Sequence, residues 1–496
     1  MINLFFLLAA GLVALVLIYS RLDLWLRRRR FAASNGCQPL RQPRNLDPFL
    51  GIDHLPKVMK AAKNNRFLEF WDSGHFANIG NTFEINLMGN PIIMTNEPQN
   101  IHAVLASKFP DFEIGERRRA LSVRFAGIGL LNADGQVWEH ARALARPNFA
   151  RSQIKLELFE KHLGVWIGPF DMQVNSLSIS RMTLDVASEF FFGPCPGTLH
   201  PQTTDLAQRF SWAFDVGSAA IAKSVRLGKL SWLYHDPDHE PACRIVHDYV
   251  DSIIAEALSK EKVSLQGDQS AHYTFLHALA EEGMSREKIR GQMLSILLAG
   301  RDTTACLMSA AMWEISRHPE MQARLRQEID QHLGKRHPKL EDLKNMTYLN
   351  WFVKETLRLY PPVPINFRRA ARDTWLPRGG GADGMAPIFV KKDQEIVYQI
   401  WSMHRRKDLW GDDAATFKPE RWEKARPRFE FLPFNAGPRI CLGQQFAWTE
   451  ASYVLVRFLQ EYSHIEGLNT TIPWTEKLTL TCCINQGVQV KLTKAV

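Results

Sequence analysis

Phe434-Asn-Ala-Gly437-Pro-Arg439-Ile-Cys441-Leu-Gly443 is the stretch from which the fold of this chain is read. One cysteine sits between two glycines, two residues after an arginine, and a helical pattern (QQFAWTEASYVLVRFL) starts at Gln444. A thiolate serves as a metal ligand when its charge is stabilised and one face stays open. Gly437 and Gly443 let backbone approach a flat ligand closely, and the N-terminus of the following helix favours a negative sulfur. The competing reading is a buried, unreactive loop cysteine, which is the ordinary meaning of a lone Cys without such surroundings. The chain has seven cysteines, and the others are Cys37, Cys195, Cys243, Cys306, Cys482 and Cys483. They are scattered, with no CxxC pair and no zinc spacing, which predicts a reducing compartment and no disulfides.

Upstream lies the longest helical pattern. Ser285 is a good N-cap with Glu287 in the first turn. The period runs through Met293, Ile296, Leu297, Gly300, Leu307 and Trp313 and stops at His318-Pro319. About 32 residues, or roughly 48 Å, would cross a whole domain. Apolar residues surround this helix except at Gly300-Arg301-Asp302-Thr303-Thr304, where Ala299 and Thr303 share a face one turn apart. A threonine there either meets a ligand or bonds back to the i−4 carbonyl. Glu355-Thr-Leu-Arg358 places opposite charges at i and i+3, a pair of little meaning alone.

The ends and the charge set the surroundings. Residues 2–19 carry no charge and would span roughly 27 Å as a helix. A cleaved signal peptide would have its basic residues before the apolar run, whereas Arg21 and Arg27 to Arg30 follow it. The expectation is a single-pass anchor with stop-transfer charges over 1–30, a linker over 31–50 and a catalytic body over 51–496 facing the cytosol. The net charge of +9 comes without a basic stripe interleaved with aromatics, so nucleic acid is not an expected partner. An anionic membrane face and an acidic redox protein fit it better. Strand patterns occur at 80–95, 385–402 and 478–492, with helical periods dominating from Asn96 to Tyr360. The fold class expected is mainly α with a minor antiparallel β portion.

The 434–443 segment matches FxxGxRxCxG at every fixed position, and through it the chain resembles the cytochrome P450 family. The narrower likeness is to the fungal alkane- and fatty-acid-hydroxylase group. It is carried by LLAGRDTTA (297–305), ETLRLYPPVPINFR (355–368), RGGGADGMAPIFV (378–390) and FLPFNAGPRICLGQQFAWTEASY (431–453). A weak proline-glycine hinge after the anchor and Trp448 in place of a more familiar Leu are the departures.

The resemblance implies a cytochrome P450 fold holding haem b, with Cys441 as the axial thiolate that favours O–O cleavage. Phe434, Gly437, Gly443, Ala299 and Gly300 would border the haem, and Trp138, Arg142, Arg368 and Arg439 would pair its propionates. Asp302 and Thr303 would deliver protons to bound O2. Glu355, Arg358 and Arg421 (of Pro419-Glu-Arg421-Trp422) would form a structural triad. Ala299 stands where some fatty-acid hydroxylases of the wider family carry a glutamate that tethers haem by an ester, so no tether is expected. Substrate contacts would come from Phe112, Phe125, Val363, Ile365 and Phe367 under a mobile roof at 205–232, while Arg117, Arg118 and Arg119 read as a solvated face or a carboxylate site.

The implied activity is hydroxylation of unactivated C–H bonds, at the terminal position of long-chain fatty acids or alkanes. Electrons would come from NADPH through a separate reductase, with cytochrome b5 as a further partner, at the endoplasmic reticulum membrane. One alternative is a secondary-metabolite tailoring P450 acting on another lipophilic small molecule. An alternative of another class is a haem-binding sensor without turnover, against which the intact AGRDTT stretch speaks.

Overall fold

A computed structural model of the chain describes residues 2–43, 47, 50–166, 176–200, 202–264, 274–468 and 470–495. The first helix, Ile2–Ser34, is unbroken. Its stretch Phe6–Ser34 is long and apolar enough to cross a membrane, and its most apolar window is not buried at all. The helix continues through 31–34, where the composition predicts a linker, and then docks. Arg28 Nε donates to Asp373 Oδ2 at 2.9 Å, Phe31 meets Phe389 edge-on at 6.0 Å, and the Gln38 N–H donates to the Pro387 carbonyl at 2.8 Å.

The long helical pattern is the central helix, Arg286–Ile315, with Ser285 at its N-cap and a stop just before His318-Pro319. Nearly every residue from Ile289 onward is buried, including Leu294, Leu297, Met308 and Ala311. A helix apolar on all sides must lie inside the domain. It shares the main core with Ser176–Phe192 and with Gln444–Glu461, the helix that follows Cys441.

The β portion is small. One five-stranded sheet has β1 (Thr82–Leu87), β2 (Asn90–Thr95), β3 (Phe112–Glu113), β4 (Ile365–Ala370) and, after the hairpin β5 (Thr374–Gly380)–β6 (Ala386–Val390), β7 (Glu395–Gln399), in the order β1-β2-β7-β4-β3. The pairs are antiparallel except β2–β7, which is parallel, with a long crossover joining the two strands. Short antiparallel pairs, β8 (Tyr462–Gly467) with β11 (Val490–Lys494) and β9 (Glu476–Leu478) with β10 (Cys482–Ile484), complete it.

The expectation of no disulfides is overturned. Cys306 of the central helix and Cys483 of β10 form a disulfide. The two are 177 residues apart, so no local spacing could announce a pairing that only the fold creates.

Candidate active site

The Cys441 loop is held by backbone. The Cys441 N–H donates to the Phe434 carbonyl at 3.0 Å. Gly437 has φ +69°, and a Cβ there would stand 1.8 Å from the Leu105 carbonyl oxygen, so only glycine fits this crossing. Gly443 is the N-cap of Gln444–Glu461, and its N–H hydrogen-bonds to the Cys441 sulfur. Burial pushes the thiol pKa up, while that N–H and the Arg142 charge oppose the shift. Cys441 lies deep in the protein and is nevertheless accessible, because it borders an internal cavity of about 340 Å³.

That cavity is also lined by Ala299, Gly300, Thr303 and Thr304 of the central helix and by Phe434 and Gly443 beside the cysteine. Leu130, Leu131, Val363 and Leu480 supply apolar wall. At Gly300 an added Cβ would find only Phe191 and Ala187, at 3.5 and 3.6 Å, so the helix is small-faced without being crowded. Thr303 Oγ1 donates to the Ala299 carbonyl at 2.6 Å, the back-bonded arrangement.

Four guanidiniums, Arg118, Arg142, Arg368 and Arg439, border the same cavity together with Trp138. Arg439 lies over the Trp138 ring at 4.3 Å and Arg142 at 5.8 Å. Burial pushes Arg118 down to about 10, with the Arg368 charge adding to the fall. Arg439 is likewise pushed down to about 10 by burial, against the opposing pull of Asp134. Among the described residues the only ion pair to these four is Arg439–Asp134 at 2.9 Å. An excess of buried positive charge beside an open thiol asks for a ligand that carries more than one carboxylate. A flat dianionic macrocycle such as haem meets that demand.

Beneath the loop, the Glu355 carboxylate is fully buried. Its Oε1 accepts from Arg358 Nη2 (2.7 Å), the Lys418 N–H (2.9 Å) and Arg421 Nε (3.1 Å). Its Oε2 accepts from Arg358 Nε (2.9 Å) and Trp422 Nε1 (3.0 Å). Arg421 also meets Asp413 at 2.8 Å, so two cations face two anions.

The model of the cytochrome P450 family matches residues 57–491. This chain is a cytochrome P450. It is similar to cytochrome P450 monooxygenase fsdH of Fusarium heterosporum, at 41% identity over 96% of this chain and 86% of that one. It is similar to cytochrome P450 monooxygenase himC of Aspergillus japonicus at 40% identity (95% and 86% covered). Cytochrome P450 52A1 of Candida tropicalis is 39% identical (83% and 80% covered). Membership brings haem-thiolate chemistry and the use of O2, and makes the chain a member of a monooxygenase family.

Within this P450 several expected positions fall elsewhere. Of the five substrate candidates only Val363 lines the cavity. Phe112 is buried in β3, where it pairs with Ala370. Phe125 is fully buried against Phe214 of the helix Asp205–Leu227, with ring centroids 5.6 Å apart. Ile365 packs by Leu68 and Trp401. Phe367 lies off the cavity because strand side chains alternate, and β4 turns Asn366 and Arg368 to it instead.

Asp302 also lies off the cavity. Consecutive helical residues are turned about 100° apart, and Asp302 is half-buried 3.4 Å from Arg301, which bonds Asp215 at 2.5 Å. Burial pushes its carboxyl pKa up, against the Arg301 charge. Of the run Arg117–Arg119, which reads as a solvated face or a carboxylate site, Arg118 alone reaches the cavity. The arginine run resembles a solvated face, yet Arg118 shares a helical stripe with buried Ser122 and Phe125 in the helix Glu116–Ala126, a period that marks it as inward. Arg117 and Arg119 are taken up by Glu395 (2.5 Å) and Asp134 (3.6 Å).

Proposed function

We propose that this P450 hydroxylates an unactivated C–H bond, at the terminal position of a long-chain fatty acid or alkane, with electrons from an NADPH-dependent reductase. The observation that carries this reading is a single cavity that joins the Cys441 sulfur, the small face Ala299-Gly300, the Thr303 hydroxyl and an apolar wall. In this reading Cys441 would ligate the haem iron. Arg118, Arg142, Arg368, Arg439 and Trp138 would hold the propionates, Phe434 and Gly443 would border the macrocycle, and Gly437 would shape the loop that carries the cysteine. Haem held in this way supplies the activation of O2.

The chain's own residues do the rest. Thr303, on the cavity wall, donates its hydroxyl proton to the Ala299 carbonyl, and release from that carbonyl would free it for transfer. Asp302, behind the wall, is the neighbouring acid that replenishes it through a change of rotamer. The apolar wall excludes water and accepts a hydrocarbon chain. Glu355, Arg358 and Arg421 keep the cysteine loop in place and take no part in the chemistry. The apolar Ile2–Ser34 helix, followed by a body of net positive charge, suits an endoplasmic reticulum anchor and an acidic reductase or cytochrome b5 partner.

The test is product analysis in yeast microsomes with reductase, NADPH and a medium-chain fatty acid. A terminal hydroxy acid supports the reading. A thiolate-type reduced carbon monoxide band without any hydroxylated acid sinks the substrate assignment and leaves the haem site standing.

A further inference from the structure

His404 takes no part in the chemistry above, yet both of its ring nitrogens are committed. It closes the helical turn Ile400–Met403 and is fully buried. Its Nδ1 lies 2.9 Å from the Arg358 carbonyl oxygen, which can only accept. Its Nε2 lies 3.0 Å from the Leu432 backbone nitrogen, which can only donate. Those two partners require the neutral tautomer with its proton on Nδ1. Burial reinforces this by pushing the imidazole down to about 3.

The two ends of the ring lead to different places. Arg358 is next to last in the helix Thr347–Leu359, where carbonyls have run out of helical partners. The bond is reciprocated, since Arg358 Nη1 donates to the His404 carbonyl at 2.7 Å. Leu432 opens the run to the cysteine. Its carbonyl accepts from the Asn435 N–H at 3.1 Å, and the Cys441 N–H then returns to the Phe434 carbonyl at 3.0 Å. Pro433 has no N–H, which leaves the Leu432 N–H as the donor at the loop's entrance. Phe431 and Trp410 pack beside the ring at 5.3 and 6.2 Å.

We propose that His404 is a positioning residue for Cys441, tying the entrance of the cysteine loop to the carboxyl end of Thr347–Leu359 and so setting where the sulfur stands against the haem iron. The inference rests on the reading that Cys441 would ligate the haem iron. An aromatic ring without nitrogens would keep the packing and leave the buried Leu432 N–H without an acceptor, so the loop would shift to find one. A glutamine offers one donor and one acceptor at similar reach.

The experiment uses the full chain in microsomes as His404→Phe and His404→Gln. Its readouts are the reduced carbon monoxide spectrum, the rate at which the thiolate-ligated form converts to the thiol-ligated form, and the haem reduction potential. Conversion at least about fivefold faster in His404→Phe, with a shifted potential and with His404→Gln within about twofold of the parent, is expected from the loss of one buried acceptor. Parental conversion and potential in His404→Phe would overturn the proposal. So would a glutamine variant as impaired as the phenylalanine one, since packing would then be the whole role. If His404→Phe binds no haem, His404→Gln decides alone by the same criterion. A parent chain lacking the thiolate signature would refute the role of Cys441 itself, a failure visible before any His404 variant is read.

Discussion

Glu355→Gln removes one charge and almost no volume, and the structure says how much that should matter. The carboxylate receives five donors, three on Oε1 and two on Oε2. The amide nitrogen is least harmful in place of Oε2, where it still confronts Arg358 Nε and Trp422 Nε1, donor against donor. Two hydrogen bonds to a charged group are lost, at about 1.5–3 kcal/mol each. Arg358 and Arg421 are left with Asp413 alone. Breaking a buried pair by removing one partner costs about 3–5 kcal/mol, and the two routes agree on about 4 kcal/mol. The cost falls on the segment 413–422 and the nearby cysteine loop, so haem retention should fail before global folding does. The assay is urea titration of the purified chain, following haem release at the Soret band and helix content by circular dichroism. Haem release should move to markedly lower urea, ahead of the loss of helix. A haem-release midpoint that implies a change below about 1 kcal/mol would refute the reasoning, because it would mean the five short contacts are not what stabilises the pair.

Gly437→Ala should prevent stable haem incorporation, since its Cβ would strike the Leu105 carbonyl at 1.8 Å in a left-handed backbone; Gly443→Ala, whose Cβ meets Phe149 at 3.4 Å, should retain most of it. Absorbance ratios of the purified variants separate the two. Thr303→Ala removes the hydroxyl that is bonded to the Ala299 carbonyl and should divert NADPH consumption to peroxide, with product per NADPH down about tenfold or more; simultaneous assay of both reports the ratio. His404 has its folded pKa lowered to about 3 from 6.5, so the unfolded chain binds the extra proton between those values. Its contribution is therefore complete above pH 6.5 and is lost as pH falls towards 3, at up to about 1.4 kcal/mol per pH unit. Denaturation midpoints at pH 7 and 5 should differ less in His404→Gln than in the parent. Alkylation of the denatured, unreduced chain should label five cysteines, Cys37, Cys195, Cys243, Cys441 and Cys482, and reduction should add Cys306 and Cys483.

The parts legible in the sequence were those where local chemistry and fold coincide. The 434–443 loop needs its glycines and arginine wherever it sits, and the central helix announces itself by being apolar on all sides. What stayed hidden depended on phase or on distant contacts. In β4 the apolar Ile365 and Phe367 suggest an apolar cavity wall, but the cavity here is its charged end, so Asn366 and Arg368 face it and the pattern points the wrong way by one residue. Phe125 looks like substrate wall until Gly217 is seen to give its ring a seat, with a Cβ there 2.0 Å from Phe125 Cε2. Asp302 shares a motif with Thr303 but not a face. His404 carries no local pattern at all, because both its partners are backbone groups 46 and 28 residues away.

The Arg28–Asp373 clasp has a mechanical meaning. A helix of 33 residues, about 50 Å long, is held beside the β5–β6 hairpin through Arg28 and Phe31. A single-pass anchor on a loose tether leaves its passenger free to tumble over the bilayer. A gripped one acts as a mast, and any lean of the mast tips the whole deck. With the apolar part of this helix in a bilayer, a hydrocarbon layer thinner than that part would make the helix lean, and the lean would pass to the body through the Arg28–Asp373 contact. The same polypeptide in two membranes of different thickness would then draw substrate and electrons along different approaches, with no residue changed.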